Sequence, residues 1–171
     1  MDWMVDEYQK ISGDSTGATF TGKSVENGGS EGRGIATAQG GFYVLQEVVR
    51  ELNIRPEESS VIIQGYGNAG YNFALLAHQA GYKIVGVSDS KGAIYSADGL
   101  DPDTVMQVKQ DKGSVTDYDR VEKLEGMEIL EKDCTILVPA ALENQITADN
   151  ADKIKACVVL ELANGPTTPE A

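Results

Sequence analysis

The ten residues Val61–Gly70, VIIQGYGNAG, constrain this chain more than any other stretch. An apolar, β-branched run leads into Gly65-x-Gly67-x-x-Gly70, and Ala69, Phe73, Leu76 and Ala80 then recur at helical spacing. That order reads as a buried strand, a tight turn and a helix that starts at the turn. Lys83–Asp89, KIVGVSD, is the next apolar run and reads as a second strand. Strand, glycine turn, helix and strand therefore fill about 30 residues, the context a glycine turn of this spacing needs before it means anything.

The remaining periodicities extend the same pattern. Residues 1–11 place Met1, Met4, Val5, Tyr8 and Ile11 on one side of a short amphipathic helix. A Gly/Ser/Thr-rich loop runs from there to Gly34, long enough to suggest a functional loop. From Ile35 to about Asn53, Ala38, Phe42, Leu45, Val49 and Leu52 make one helical stripe. Residues 102–112 predict a helix with Pro102 in its first turn, and 147–154 a short helix capped by Thr147. Residues 134–142 predict a strand ended by Pro139, and 156–162 a last strand. GAIYSADGLDP reads as a turn-rich connection, and the acid-rich 117–133 as a solvated face. Alternating strands and helices predict an α/β fold, a three-layer, Rossmann-like doubly wound sheet, mostly parallel, with helices on both faces. The expected organisation is one domain over 1–171, a helix and loop at 1–34 followed by the core at 35–171.

In such a fold the glycines have separate tasks. Gly65 makes the tight turn, Gly67 lets the backbone approach a pyrophosphate, and Gly70 lets helix and strand pack closely. The N–H groups around Asn68 and Ala69 would point at phosphate. Asp89, 19 positions beyond Gly70, is placed to accept from ribose hydroxyls, which favours NAD, or is simply a turn residue in SDSKG. Ser90, with Ser88 and Lys91, is placed to receive a 2′-phosphate, so NADP stays equally open.

Composition limits the partners. A net charge of −13 argues against nucleic acid and anionic membrane surfaces, which want a positive footprint. His78 is the single histidine and falls away from the phosphate end of its helix, so a structural role is expected and no metal site. Cys134 and Cys157 lie in apolar runs and are expected to be buried and reduced. No apolar stretch is long enough to span a bilayer and no signal peptide is evident, which points to the cytoplasm.

Three further blocks, GGSEGRGIATAQGG (28–41), PAALENQIT (139–147) and ANGPTTPEA (163–171), closely resemble the cofactor domain of hexameric glutamate dehydrogenases. The resemblance runs through essentially the whole chain in order, including TGK, SDSKG and NADKIKA. The leucine, phenylalanine and valine dehydrogenases share the fold. The resemblance implies that Thr37 reaches the nicotinamide carboxamide and Arg33 lies near the substrate carboxylate. It implies that Ala140 and Ala141 line the adenosine side and Asn164 meets the nicotinamide ribose or carboxamide. The same residues also suit plain structure: Thr37 and Arg33 a helix start, Ala140 and Ala141 tight packing. Leu162 departs from the family, standing where many members have glycine.

The family's glutamate-binding lysines and catalytic lysine and aspartate belong to an N-terminal substrate domain that these residues do not include. Oxidative deamination needs a proton-transfer group beside the nicotinamide and closure of two domains around it. Lys23, Lys83 and Lys91 are scattered and supply neither. The chain is therefore expected to hold NAD or NADP but, alone, to have no catalytic residue and no activity. In the parent enzyme, a homo-oligomer, it would serve the interconversion of L-glutamate with 2-oxoglutarate and ammonium. The alternatives are a stand-alone, non-catalytic dinucleotide-binding module and the cofactor domain of a Leu/Phe/Val relative.

Overall fold

Strand β1 (Ser60–Gln64) buries four of its five residues, as a β-branched run between two layers must. The computed structural model describes all 171 residues, and β1 sits near the middle of its six-stranded sheet. The other strands are β2 (Lys83–Asp89), β3 (Gly92–Tyr95), β4 (Glu122–Leu124), β5 (Ile136–Pro139) and β6 (Val158–Val159). Their spatial order is β4-β3-β2-β1-β5-β6. β2, β1, β5 and β6 are mutually parallel, while β3 pairs antiparallel with both β2 and β4. The chain leaves β1 toward β2 and returns later on the other side as β5, which makes the β1/β5 junction the switch point of the sheet.

Four α-helices accompany the sheet: α1 (Asp2–Ser12), α2 (Arg33–Glu51), α3 (Asn68–Gln79) and α4 (Pro102–Lys112). Chain segments 1–37 and 38–171 form two compact units. In the first, α1 buries only Val5, ends at Gly13, and is tied to the following loop by Ser24 N–H donating to Asp2 Oδ1 at 2.9 Å. Tyr8 and Phe20 meet edge to face.

In the second unit the expected layers are present but unequal. One face carries Val61, Ile63, Ile136 and Val138 against Phe42, Leu45 and Val49 of α2, Phe73, Ala74 and Ala77 of α3, and Val105 of α4. The opposite face, with Ile62, Val85, Ala93 and Leu137, is covered by short 3-10 turns at Glu128–Glu131 and Ala151–Lys153 rather than by α-helices. A register shift between β1 and β2, Val61 opposite Ile84 but Ile62 opposite Gly86, puts Ile84 and Val87 on the first face and Val85 on the second. Each fully buried Val, Leu or Ile contributes roughly 1.5–3 kcal/mol through apolar area removed from water.

Helix ends follow their residues. Asp101 caps α4 by accepting from Thr104 N–H at 2.8 Å, with Pro102 at the first position. Gly81, just past α3, takes a left-handed φ of 95°.

Several sequence expectations change. GAIYSADGLDP is not only a connection: Gly92–Tyr95 turns back as β3, with Asp89 opposite Gly92 across a tight turn at Ser90 and Lys91. The acid-rich segment contains edge strand β4 as well as exposed residues. The short helix at 147–154 is a turn plus 3-10 segment, though the Thr147 hydroxyl still accepts from Asp149 N–H at 3.3 Å. The strands at 134–142 and 156–162 shrink to Ile136–Pro139 and Val158–Val159. Both cysteines are free, but Cys157 is exposed where burial was expected. Cys134 is half-buried, and desolvation pushes its thiol up to about 12. His78 is an exposed residue of the last turn of α3.

Candidate functional site

The glycine turn joins β1 to α3 at the C-terminal edge of the sheet, and its three glycines have distinct surroundings. Gly65 adopts φ +98°, and a Cβ there would stand 2.9 Å from the Ala140 carbonyl and from the Ala141 methyl. A Cβ on Gly70 would overlap the Gly65 carbonyl oxygen, so α3 packs on β1 at backbone contact. Gly67, by contrast, has nothing within 4 Å of its Cβ position. The turn is thus closed on the protein side and open at its middle glycine. Gly67 is also the N-cap of α3 and, as a glycine, brings no side chain to cap that end.

Neighbouring strands hold the turn in place. Gly65 and Tyr66 N–H groups donate to the Ser88 carbonyl at 3.1 and 2.7 Å. The Tyr66 carbonyl accepts from Lys109 Nζ at 2.7 Å. The Tyr66 ring is 1% exposed, and its hydroxyl donates to the Pro102 carbonyl at 2.9 Å. Burial, then Tyr71 and the carboxylates of Asp103 and Asp101, push that hydroxyl well above the usual tyrosine range. It is a structural anchor.

A cleft of about 410 Å³ opens over this edge. It is lined by Gln64, Gly65 and Gly67 from β1 and the turn, Ser88 and Asp89 from β2, Ser90 just beyond it, Met127 just before the 3-10 segment, and Ala140 and Ala141 after β5. The structure therefore brings Gly65, Gly67, Asp89, Ser90, Ala140 and Ala141 together, with Asn68, Ala69 and Gly70 in the adjoining helical turn. Asn164 is exposed in the loop after β6, outside that lining. Its neighbour Gly165 accepts from Asn144 N–H at 3.0 Å. Arg33 and Thr37 belong to the first unit, exposed on the first two turns of α2.

Asp89 is more heavily engaged than its position in the sequence suggests. Oδ1 accepts from Lys91 N–H at 2.9 Å and from Ser114 Oγ at 3.1 Å; Oδ2 accepts from Val115 N–H at 2.8 Å. Lys109 Nζ lies 3.8 Å from Oδ2, and the Asp89 side chain is only 6% exposed. Of the roughly four acceptor positions of a carboxylate, three are filled by the protein. One remains, on Oδ2, the oxygen that Lys109 faces, and the Lys91 contact makes Asp89 a turn residue of SDSKG. Ser90 and Lys91 are exposed at the tip of that hairpin.

Gln64, Lys109, Met127 and Gln145 also line the cleft and were not singled out by motif. Gln64 carried a signal, as the polar end of an otherwise apolar buried strand. Lys109, Met127 and Gln145 arrive from separate segments, and only the fold brings them here.

An open α/β sheet with a glycine turn at its switch point and a cleft over the C-terminal strand ends defines a doubly wound α/β domain. A family model described as Glutamate/Leucine/Phenylalanine/Valine dehydrogenase matches residues 28–171, and the chain belongs to that family. It is 45% identical, over all of its length and 40% of the relative's, to a catabolic NAD-specific glutamate dehydrogenase of Bacillus subtilis. It is 42% identical, over all of its length and 42% of the relative's, to an NADP-specific glutamate dehydrogenase of Synechocystis. Among solved structures, a hetero-hexameric glutamate dehydrogenase from Thermus thermophilus superposes on 98% of this chain and 39% of its own with a TM-score of 0.87 and 32% identity. The chain thus spans about two fifths of the length of the relatives it matches. No helix is long and apolar enough to cross a membrane.

Proposed function

We propose that this chain is the cofactor-binding part of a glutamate dehydrogenase, the Rossmann domain that holds NAD or NADP while another part of the enzyme holds the amino acid. The observation that carries the reading is the glycine turn: closed at Gly65 and Gly70, open at Gly67, and placed where the first turn of α3 meets the cleft. A diphosphate there meets backbone N–H groups and the positive end of a helix, which offsets the unfavourable net charge of the chain. Gly65 and Gly70 fix the turn, Ala140 and Ala141 bound the adenosine side, and Asn164 is assigned to the nicotinamide side.

When bound, the cofactor supplies hydride acceptance, in the parent reaction from the α-carbon of L-glutamate on the way to 2-oxoglutarate and ammonium. The residues of this chain bind and orient it. Both cofactors stay in the proposal, because Asp89 keeps one acceptor position for a ribose hydroxyl while Ser90 and Lys91 offer exposed donors to a 2′-phosphate. Relatives named NAD-specific and NADP-specific support keeping the pair. Oligomeric assembly, part of the Thermus relative's description, belongs to the same proposal for the whole enzyme.

The test is calorimetric titration of the chain with NADH and NADPH, alongside an assay for glutamate-dependent reduction of NAD and NADP. Saturable binding of at least one dinucleotide, with no turnover, is the expected result. Absence of binding to both removes the cofactor role. Turnover removes the claim that the catalytic residues lie outside these 171.

A further inference from the structure

The floor of the cleft holds a buried polar atom with no partner. Gln64 is 5% exposed at the end of β1, and its Oε1 accepts no hydrogen bond. Its Nε2 donates to Gln145 Oε1 at 2.7 Å and lies 3.7 Å from the Met127 sulfur. The two amides orient each other. Gln145 Nε2 donates to the Glu143 carbonyl at 2.9 Å, so Gln145 must turn its oxygen toward Gln64. Turning Gln64 over would set two oxygens face to face. The orphan is therefore a fixed acceptor, costly to leave unmade in a buried place.

The cleft around Gln64 suits a flat apolar ring. Ala140, Ala141, Leu142, Gly126 and Met127 all line it. Leu142 and Met127 are 68% and 47% exposed, large apolar side chains left without cover. A thioether is a favourable neighbour for an aromatic ring and adapts its shape to it. The same cleft includes Gly67, where a diphosphate would enter.

We propose that Gln64 reads the base of the nucleotide: its Oε1 accepts from the exocyclic amine of adenine. The ring lies between Met127 and Leu142, and Met127 swings off Gln64 as the ring enters. Gln145 is the positioning residue that keeps the acceptor turned toward the ligand. The inference rests on the dinucleotide reading above and deepens it to the residue that reads the base. A hypoxanthine ring in the same seat brings a carbonyl oxygen where adenine has its amine, and meets Gln64 Oε1 with like partial charge.

Calorimetric titration of the 171-residue chain with ADP and with IDP, the same diphosphate on adenine or hypoxanthine, tests this. ADP is expected to bind about tenfold more tightly or better, the scale of one satisfied against one opposed hydrogen bond. Gln64→Met, which keeps the length and removes the amide, should bring the two affinities within about twofold, mainly by weakening ADP. Met127→Ala should weaken both nucleotides while preserving their ratio, and decides the matter where Gln64→Met does not fold. Equal affinity of the unaltered chain for ADP and IDP overturns the reading of the base and leaves diphosphate binding standing. A ratio lost in Met127→Ala assigns the preference to the thioether and also overturns it. Binding of neither nucleotide, nor of either dinucleotide, overturns the cofactor reading itself.

Discussion

Strand β1 buries four of its five residues and β4 none of its three, although both belong to the same sheet. The central strand is covered on both faces, so every side chain it carries must be apolar or find a partner. The edge strand has no neighbour on its outer side and must discourage one. Glu122 and Lys123 do this with charge, and Glu122 accepts from Lys132 Nζ at 2.7 Å. β3 lies between the extremes, buried for three of four residues but reached by a hairpin rather than a crossover. The cleft therefore has one wall that packing fixes, from β1, α3 and β5, and a second at the β2–β3 hairpin that hydrogen bonds hold as much as packing does.

The strongest way to break this contrast is at the packed wall. Gly70→Ala puts a methyl group into the Gly65 carbonyl and should cost about 3 kcal/mol or more, read as a fall in the urea midpoint or as loss of the folded state. Next comes Ile62→Ala, fully buried on the second face of β1, with an expected loss of about 2–5 kcal/mol in the same measurement. A loss below about 1 kcal/mol at Ile62 would mean that the second face is loosely packed under its 3-10 turns.

The flank should respond more gently. Asp101→Ala removes the cap of α4 and is expected to cost about 1 kcal/mol. Hydrogen bonds from the Thr104 hydroxyl and N–H hold the Asp101 carboxyl below its usual 3.8. A lowered folded value contributes stability that is present above the unfolded value and lost as pH falls through the folded one. Thermal melts of the parent and Asp101→Ala chains should therefore differ at neutral pH, begin to approach each other near pH about 4, and meet once pH falls below the lowered folded value. The smallest effect is expected at the outer edge, where Lys123→Ala should change stability by no more than about 0.5 kcal/mol.

Legibility in the sequence follows the same gradient. SVIIQ and KIVGVSD announced themselves because a doubly covered strand is a continuous apolar run, and the glycine turn because each spacing has a steric reason. β3 is not legible in the sequence because its four residues begin with glycine and its hairpin turn is Ser90-Lys91, not the Asn-Gly or Asp-Gly that marks such turns. β4 carries the polarity its exposed edge requires, which in one dimension looks like any solvated loop. At the cleft, Gly65, Gly67 and Gly70 were readable from local sequence. The partners of Asp89 were not: Ser114 and Val115 come from beyond α4, and no local pattern shows that they will meet the end of β2.

The loop after β5 and the loop after β6 are joined by their own short ladder. Asn144 N–H donates to the Gly165 carbonyl, Gln145 and Ile146 N–H to the Pro166 carbonyl, and Thr168 N–H to the Ile146 carbonyl. These amides should share one opening event, and so exchange with deuterium at a common rate set by that event rather than residue by residue. A molecule that settles against Ala141 would then slow exchange at Thr168, well along the chain from anything it touches. The ladder makes the two loops a single reporting element, readable at any one of its amides.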